Sequence, residues 1–358
     1  MVRKTMVLST EWAQVEVVEL TNDDTMWVPN LPVTILTGLT AGAGALCLIK
    51  DMNGGIAFDN SVSAEGKTVI VTGATSGIGK EAAWEFAQRG AKVFMACRDM
   101  TKCEEARREI VLGTNNKYVY CRPCDLASAA SIQEFVARFK SEEPKVNILV
   151  NNAGVMESPQ GVTREGFETQ LGTNHFGHFL LTHLLLDTLK ESTPSRVVIV
   201  SCSAHQKGQI HKEDLNMSQK YDAMAAYNQS KLANILFARE LGRRMLDYDV
   251  AVTAVDPGFT DTNLTRNLAM MKSITRFFVY PIFWPVMKKA RTGAQTVVHA
   301  GLDPDLQKSK GDYFVDMKKT PPSELAQDYE LAQWLWRVSD KWTKVDEHKA
   351  AVAKALAA

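Results

Sequence analysis

Tyr227 and Lys231 lie four residues apart in the segment AYNQSKL. On a helix this spacing places both side chains on one face. A free tyrosine has a pKa near ~10, too high for ready proton exchange at neutral pH. A neighbouring ammonium favours the tyrosinate and lowers that pKa. The pair therefore predicts proton transfer, although a Y-x-x-x-K pattern taken alone also occurs by chance on protein surfaces.

A glycine-rich turn upstream gives the pair its meaning. The glycine pattern Gly73-x-x-x-Gly77-x-Gly79 follows the strand-like run TVIVT and leads into the helix-like run GKEAAWEFAQRG. Glycines permit a tight turn and close approach of a pyrophosphate, whose charge is favoured at a helix N-terminus. Together, turn and pair predict hydride transfer between a nicotinamide and a carbonyl or alcohol. An oxidised nicotinamide would help the ammonium to lower the tyrosine pKa, and Lys231 can also bond the nicotinamide ribose. The predicted cofactor-binding residues of the turn are Gly73, Thr75, Ser76, Gly77, Ile78 and Gly79.

The end of the second predicted strand indicates which nicotinamide cofactor is used. An acidic residue there would bind the 2′-hydroxyl of NAD. The sequence instead has Cys97 at that place, followed by Arg98. An arginine can pair with a 2′-phosphate, so we predict NADP(H) as the cofactor. The alternative is that Arg98 is an ordinary solvated loop charge.

Composition excludes several other classes of protein. The chain has 358 residues, 45% apolar and 23% charged, which is typical of a globular protein with a core. Its formal net charge of zero gives no nucleic-acid footprint. Six scattered cysteines favour a reducing compartment. Cys121 and Cys124 form a C-x-x-C without a second ligand pair, so we expect two reduced cysteines and no metal site.

Short apolar runs alternate with helical stretches from Lys67 onward, which predicts a parallel sheet covered on both faces. The predicted fold is α/β, a Rossmann-like doubly wound parallel sheet in a single domain. The predicted strands are 68–72, 92–97, 117–121, 147–151, 196–201 and 251–255. The predicted helices are 79–89, 101–111, 129–141, 174–190 and 227–246.

Residues 31–49 carry no charge and have about the length that crosses a bilayer core of ~30 Å. We predict an N-terminal membrane-anchor helix there, with a buried helix or a targeting segment as the alternative. Lys50, at the end of this segment, favours a topology with the catalytic domain on the cytosolic or matrix-like side. The predicted organisation is an extension (1–30), the anchor (31–49), a linker (50–65), the catalytic domain (66–345) and a C-terminal tail (346–358).

Several motifs in one order resemble the short-chain dehydrogenase/reductase family. They are TGATSGIG (72–79), Asp125-Leu126, NNAG (151–154), Asn174 within TNHFGHF, YNQSK (227–231) and DPGFTDT (256–262). Within the family, CRDM, NNAGVM and ARTGAQT look like the retinol dehydrogenase branch. That resemblance implies retinoid or similar lipophilic substrates, a membrane location, mitochondrial (inner membrane) or alternatively endoplasmic reticulum, and a possible homodimer.

The resemblance also implies roles for single residues. Tyr227 would be the acid/base, Lys231 its pKa-lowering partner and Asn174 part of a water-mediated proton relay. Tyr227 and Lys231 would also be cofactor-binding residues. Further residues would line the cofactor: Asp125 and Leu126 at the adenine, Asn152, Ala153 and Gly154 along its length, and Pro257 and Gly258 near the nicotinamide. Alternatively, Asn151 and Asn152 mainly tie neighbouring strands together.

One position departs from the family pattern. Ser201-Cys202-Ser203 places Cys202 where the family has its catalytic serine. A thiol is a weaker hydrogen-bond donor than a hydroxyl. Slow turnover, use of a rearranged Ser203 and loss of turnover all remain open, and we still expect catalysis.

The substrate side is expected to be apolar. The uncharged, aromatic-rich segment 277–287 would wall a lipophilic pocket, dip into a bilayer surface or simply pack on the core. The leading hypothesis is an NADP(H)-dependent enzyme interconverting retinol and retinal. The alternatives are a reductase of steroid or lipid-derived carbonyls and a nucleotide-binding protein with little turnover. His175 and His178 lack a third ligand in the sequence and are expected to be structural.

Overall fold

The computed structural model describes residues 55–260 and 287–357, together with Leu48 and the backbones of two short N-terminal strands. The predicted anchor, apart from Leu48, and the aromatic segment, apart from Met287, lie outside the described residues. Among the residues described, no helix combines the length and the apolar character needed to cross a membrane.

The chain divides into two units, Met1–Leu48 and Ile49–Ala358. In the first, β1 (Val7–Thr10) pairs antiparallel with β2 (Ala13–Glu16). This hairpin falls in the predicted extension, where the sequence shows no clear period.

The second unit is built on an eight-stranded sheet. Its order is β10-β9-β8-β7-β6-β3-β4-β5, and its pairs are parallel except for β9 with β10. The strands are β3 (Thr68–Thr72), β4 (Lys92–Cys97), β5 (Val119–Pro123), β6 (Ile148–Asn151), β7 (Ser195–Val200), β8 (Val250–Asp256), β9 (Lys310–Val315) and β10 (Lys318–Lys319).

The central strands are rich in valine and isoleucine, and such strands require cover on both faces. Helices lie on both faces of the sheet, and the central strands are fully buried. One core packs beneath α3, α5, α6 and the C-terminal helices, and the other beneath α1, α2 and α7. The helices are α1 (Gly77–Gln88), α2 (Met100–Thr114), α3 (Ala129–Glu142), α4 (Thr169–Leu171), α5 (Gly177–Glu191), α6 (Ala223–Arg244), α7 (Ala290–Leu302), α8 (Glu324–Gln327), α9 (Tyr329–Thr343) and α10 (Val345–Ala357). A π-helical turn (Gly172–Phe176) joins α4 to α5, and 3₁₀ turns lie at Ser203–Lys207 and Pro304–Leu306.

The order of the strands places the functional motifs together. From β3 the chain moves outward to β4 and β5, then returns to β6 on the other side of β3. Such a reversal is a topological switch point, where open α/β sheets bind ligands at the carboxyl ends of their strands. Thr72, Asn151, Val200 and Asp256 end their strands at this edge. The predicted doubly wound parallel sheet is thereby confirmed.

Other features differ from the sequence-based expectations. Cys121 forms a disulfide with Cys103, so the prediction that both cysteines of the C-x-x-C are reduced is wrong for Cys121. Cys124 is free and buried, and burial raises the pKa of its thiol. The disulfide arises because α2 packs on β5 and brings Cys103 to a strand neighbour 18 residues away. Local spacing within C-x-x-C carries no information about that contact.

The ends of the domain are also packed. Arg89 donates hydrogen bonds to the carbonyl oxygens of Asp59 (2.6 Å) and Val62 (2.9 Å), and its guanidinium lies 5.1 Å from the Phe58 ring centroid. Part of the predicted linker therefore lies against α1. Most of the predicted tail forms α10, where His348 bonds Gln133 of α3 at 3.1 Å.

Candidate active site

Two glycines of the turn between β3 and α1 leave no space for side chains. Gly73 has φ +67°, and a Cβ there would lie 2.8 Å from the Cα of Ala153. A Cβ at Gly79 would lie 2.5 Å from the carbonyl oxygen of Gly73. Gly77 also has a positive φ, +58°. The backbone at the start of α1 is therefore bare, as close approach of a pyrophosphate requires.

The N-terminus of α1 lacks the side-chain cap that α2 and α6 carry. Ser76 is extended at the N-cap and makes no side-chain hydrogen bond to the helix. By contrast, Asp99 at α2 and Asp222 at α6 each accept from a backbone N–H. The first N–H groups of α1 keep their capacity to bind an anion. Thr75, Ser76 and Ile78 are half-buried around this end, so the turn fits a dinucleotide.

The residues predicted near the adenosine follow β4 and β5. Cys97 ends β4 and is buried, which raises the pKa of its thiol to about 12. Arg98, the next residue, is exposed. Asp125 is half-buried and accepts from the N–H of Ala127 at 3.0 Å, whereas Leu126 is buried. The last residue of β4 is therefore a buried thiol rather than a carboxylate, and an exposed cation follows it.

The loop after β6 is held by Thr72, a residue that the sequence reasoning did not single out. Thr72 Oγ1 accepts from the N–H groups of Asn152 (2.9 Å) and Ala153 (3.0 Å). Asn152 also donates its side-chain amide to the Thr72 carbonyl at 2.9 Å. Asn151 donates its amide to Thr182 of α5 at 2.8 Å. Asn152 therefore ties the end of β6 to the neighbouring strand β3, as in its alternative role, whereas Asn151 ties β6 to helix α5 rather than to a neighbouring strand.

Tyr227 and Lys231 share one buried face of α6. Cys202 Sγ lies 3.5 Å from the Tyr227 hydroxyl. Lys231 Nζ lies 5.6 Å from the Tyr227 ring centroid and donates to the carbonyl of Val200 at 3.3 Å. The helix begins at Ala223 because Asp222 accepts from the N–H of Ala225 at 2.7 Å. The structure therefore brings the predicted tyrosine, lysine and cysteine to one place.

Burial controls the electrostatics of this cluster. It raises the pKa of Tyr227 well above its ordinary value, and the neighbouring Cys202 adds to the rise. It lowers the pKa of Lys231 and raises the pKa of the Cys202 thiol. The predicted lowering of the tyrosine pKa is therefore not produced by the protein alone. A protonated Tyr227 is suited to donate a proton rather than to abstract one.

Asn174 lies in the π-helical turn and is fully buried. Its side chain accepts from the N–H of Val155 (2.8 Å) and donates to the Val155 carbonyl (3.0 Å) and to Ser230 Oγ (2.9 Å). Ser230 in turn donates to the carbonyl of Tyr227 at 2.7 Å. Asn174 thus ties the segment after Gly154 to the helix of the tyrosine, and a Cβ at Gly154 would lie 3.4 Å from its Oδ1.

The serines beside Cys202 point elsewhere. Ser201 donates to the carbonyl of Lys231 at 2.8 Å beneath the site. Ser203 is exposed and begins the 3₁₀ turn. Of the three residues, Cys202 is the one beside the Tyr227 hydroxyl, so the structure gives no support to a rearranged Ser203.

The segment after β8 is held by hydrogen bonds to Asp256 and by packing against α7. Gly258 has φ +77° and donates its N–H to Asp256 Oδ1 at 2.7 Å. The other carboxylate oxygen of Asp256 accepts from the hydroxyl of Tyr313 at 3.1 Å. Pro257 packs against α7, where a Cβ at Gly293 would lie 3.1 Å from the Pro257 carbonyl. Tyr313 lies on β9, which the sequence analysis did not predict, so its part in holding this segment was missed.

A doubly wound sheet with a glycine turn at its switch point and a Tyr–Lys pair on the same edge defines a class: nucleotide-binding oxidoreductases. A family model described as short chain dehydrogenase matches residues 67–273. Human retinol dehydrogenase 13 is 46% identical over 306 residues, covering 85% of this chain and 92% of the relative. Mouse retinol dehydrogenase 12 is 46% identical over 290 residues, covering 81% and 90%.

The chain belongs to the short chain dehydrogenase family and, within it, to the retinol dehydrogenase branch, which confirms the resemblance. A solved 3-ketoacyl-(acyl-carrier-protein) reductase from Brucella melitensis, complexed with NADH, matches with TM-score 0.56 and 25% identity. It covers 71% of this chain and 97% of that structure. The protein is thus of the class of nicotinamide-dependent oxidoreductases that act on alcohols and carbonyls.

Proposed function

We propose that the protein is an NADP(H)-dependent oxidoreductase that interconverts retinol and retinal. One observation carries the proposal: the buried Tyr227 hydroxyl lies at the sheet edge that also bears the glycine turn, with Lys231 beside it and Cys202 Sγ 3.5 Å away. A proton donor and a nucleotide site on one edge are the two parts that carbonyl reduction needs. The retinoid substrate is supported by the similarity to retinol dehydrogenases 12 and 13.

In the reductive direction, a bound reduced nicotinamide supplies the hydride. Tyr227 donates its hydroxyl proton to the carbonyl oxygen, and burial keeps that proton in place at neutral pH. Cys202 donates a weaker hydrogen bond to the same oxygen and orients it. Lys231 places a positive charge near the tyrosinate that forms, and Asn174 contributes to a water-mediated relay that restores the proton. Oxidation of the alcohol follows the same path in reverse.

The choice of NADP(H) over NAD(H) rests on the end of β4. Arg98 is exposed where a 2′-phosphate would lie, and Cys97 replaces the carboxylate that would bind a 2′-hydroxyl. A guanidinium recognises phosphate by paired, charge-assisted hydrogen bonds. Asp125 and Leu126 are assigned to the adenine, residues 152–154 to the length of the cofactor, and Pro257 and Gly258 to the nicotinamide.

The cellular setting is proposed from the sequence and the relatives. Residues 31–49 are assigned as the membrane anchor, and the mitochondrial inner membrane as the location, with the endoplasmic reticulum as the alternative. A lipophilic substrate partitions into a bilayer, so an anchored enzyme would meet it there. A homodimer is part of the same proposal.

A second candidate function has its own observation. The side chain beside the Tyr227 hydroxyl is a thiol, and its pKa is raised by burial, so it is neither a strong donor nor a thiolate. A site with this defect would bind nucleotide and turn over slowly. Steroid or lipid-derived carbonyls are the alternative substrates for an active site of the same shape.

The test is NADPH consumption with all-trans-retinal, beside a Tyr227→Phe control and an NADH comparison. We expect turnover that requires Tyr227 and prefers NADPH. Binding of NADPH without turnover on retinal, steroids or lipid aldehydes would instead select the nucleotide-binding function. Turnover that survives in Tyr227→Phe would overturn the mechanism.

A further inference from the structure

Helix α5 carries a buried histidine that the proposed reaction does not use. His178 is 1% exposed, and both of its ring nitrogens have partners. Nδ1 lies 2.9 Å from the carbonyl oxygen of Asn174, and Nε2 lies 2.9 Å from Thr72 Oγ1. Asn174 lies in the π-helical turn. Thr72 holds the loop after β6 at Asn152 and Ala153, which we call the cofactor loop. The imidazole therefore bridges two parts of the site.

The partners fix the tautomer of this imidazole. A carbonyl oxygen can only accept, so Nδ1 carries the proton and donates it to Asn174. Nε2 then has a lone pair and accepts from the hydroxyl of Thr72. Burial lowers the pKa of His178 to about 4, and Lys231 adds to this, so the ring is neutral at physiological pH.

Thr72 extends the chain of bonds to the cofactor loop. Its hydroxyl oxygen accepts from the N–H groups of Asn152 and Ala153. Its proton has two acceptors within reach, His178 Nε2 at 2.9 Å and the Val150 carbonyl at 3.3 Å. The shorter contact directs the proton to the histidine. Every hydrogen bond in this chain then points in the same direction: the N–H groups of the loop donate to Thr72, Thr72 donates to His178, and His178 donates to the Asn174 carbonyl. Hydrogen bonds arranged in such a chain strengthen one another.

We propose that His178 is a positioning residue that couples the cofactor loop at Asn152 and Ala153 to the Asn174 turn of the proton-transfer site. The assignment rests on the proposed function, because it gives His178 a part in that reaction. Loss of the bridge lets the loop and the Asn174 turn shift independently, and displacements of about 1 Å cost up to about 10²-fold in rate.

The chain offers a matched control on the same helix. His183 is also buried and donates Nδ1 to the carbonyl of Phe179 at 2.8 Å, but its ring packs on Phe179 and Trp336. His183→Leu and His178→Leu each remove a buried imidazole bonded to a carbonyl four residues earlier. Only His178→Leu breaks the bridge to Thr72.

The experiment is a double-mutant cycle of His178→Leu and Thr72→Val, with Thr72→Ser and His183→Leu as controls. NADPH affinity is measured by fluorescence, kcat and KM by retinal reduction, and Tm by calorimetry. We expect His178→Leu and Thr72→Val each to lower kcat about 10–100-fold and NADPH affinity about 10-fold. The double variant should be little worse than either single one, because both break the same chain. Thr72→Ser keeps the hydroxyl and should retain near-normal values.

His183→Leu should lower Tm by about as much as His178→Leu does. It should leave kcat and NADPH affinity within about 2-fold of the wild-type values, since the hydrogen bond of His183 lies outside the chain through Thr72. Additive losses in the double variant, or equal kinetic losses in His183→Leu, would overturn the inference. A wild-type protein that binds NADPH without reducing any carbonyl would count against the proposed function. In that case the cycle is decided on NADPH affinity, where coupling supports the bridge and additivity overturns it.

Discussion

The glycine turn and the Tyr227 cluster lie on one sheet edge but are built in opposite ways. In the turn, Gly73 and Gly79 exclude side chains and leave bare backbone for the proposed binding of the cofactor. The cluster, by contrast, is built from buried polar side chains, and the side chain of Asn174 alone makes three hydrogen bonds to the protein. The turn comes from one short stretch of sequence, whereas the cluster draws on β7, α6 and the π-helical turn. Changes in the turn should therefore act on binding, and changes in the cluster on rate.

The sharpest separation of the two regions is expected from Tyr227→Phe. Loss of the proton donor should lower kcat by about 10³-fold, within the range for general acid catalysis. NADPH affinity should stay within about 2-fold, because the hydroxyl contacts Cys202 rather than the turn. Stopped-flow reduction of retinal and fluorescence titration give the two values, with the surface variant Tyr248→Phe as control. A comparable loss of NADPH affinity would show that the regions are not separable.

Gly79→Ala is the converse change. The new Cβ would lie 2.5 Å from the Gly73 carbonyl oxygen, so the turn must open. We expect NADPH affinity to fall by about 10²-fold, equivalent to about 2.7 kcal/mol. At saturating NADPH, kcat should remain near the wild-type value. Gly161→Ala is the control, since its Cβ would meet the Thr169 hydroxyl at 3.1 Å far along the chain from the turn. An effect confined to kcat would contradict the division.

Cys202→Ser tests the cluster by improving it. A hydroxyl in place of the thiol donates a stronger hydrogen bond to the carbonyl oxygen, and such donors are worth about 10²-fold or more in rate. Because the side chain sits 3.5 Å from the Tyr227 hydroxyl, we expect kcat to rise about 10-fold with NADPH affinity unchanged. Steady-state kinetics and titration measure both. An unchanged or lower kcat would mean that the native thiol does not limit turnover.

Arg98→Glu should shift the preference between the two cofactors. The exposed guanidinium is replaced by a carboxylate, which repels a 2′-phosphate and can accept from a 2′-hydroxyl. We expect the ratio of kcat/KM for NADPH over NADH to fall about 10–100-fold, consistent with charge-assisted bonds. Arg107→Glu, on the exposed side of α2, serves as the charge-matched control. An equal loss with both cofactors would place Arg98 in general binding instead.

The same contrast explains how far the sequence could be interpreted. Thr68–Thr72 and Lys92–Cys97 were predicted with their observed bounds, because strand patterns are local. Tyr227 and Lys231 could be paired because four residues on a helix share a face. The Cys103–Cys121 bond could not be predicted, since it depends on how α2 packs on β5.

The bridge through His178 was missed for a related reason. A histidine three residues after another resembles a weak metal motif, and its true partners are a strand end and a carbonyl. Tyr313 contacts Asp256 only because β9 adds to the sheet beside β8. Hydrogen bonds between residues far apart in sequence leave no periodic signature, so they become visible only when the fold is known.

The hydrogen bonds between Arg89 and the segment before β3 have a mechanical consequence. Its guanidinium binds the carbonyl oxygens of Asp59 and Val62, and Phe58 donates its N–H to Gln295 of α7 at 3.0 Å. A pull on the chain at Gly55 is therefore carried into α1 and α7 before any strand of the sheet is loaded.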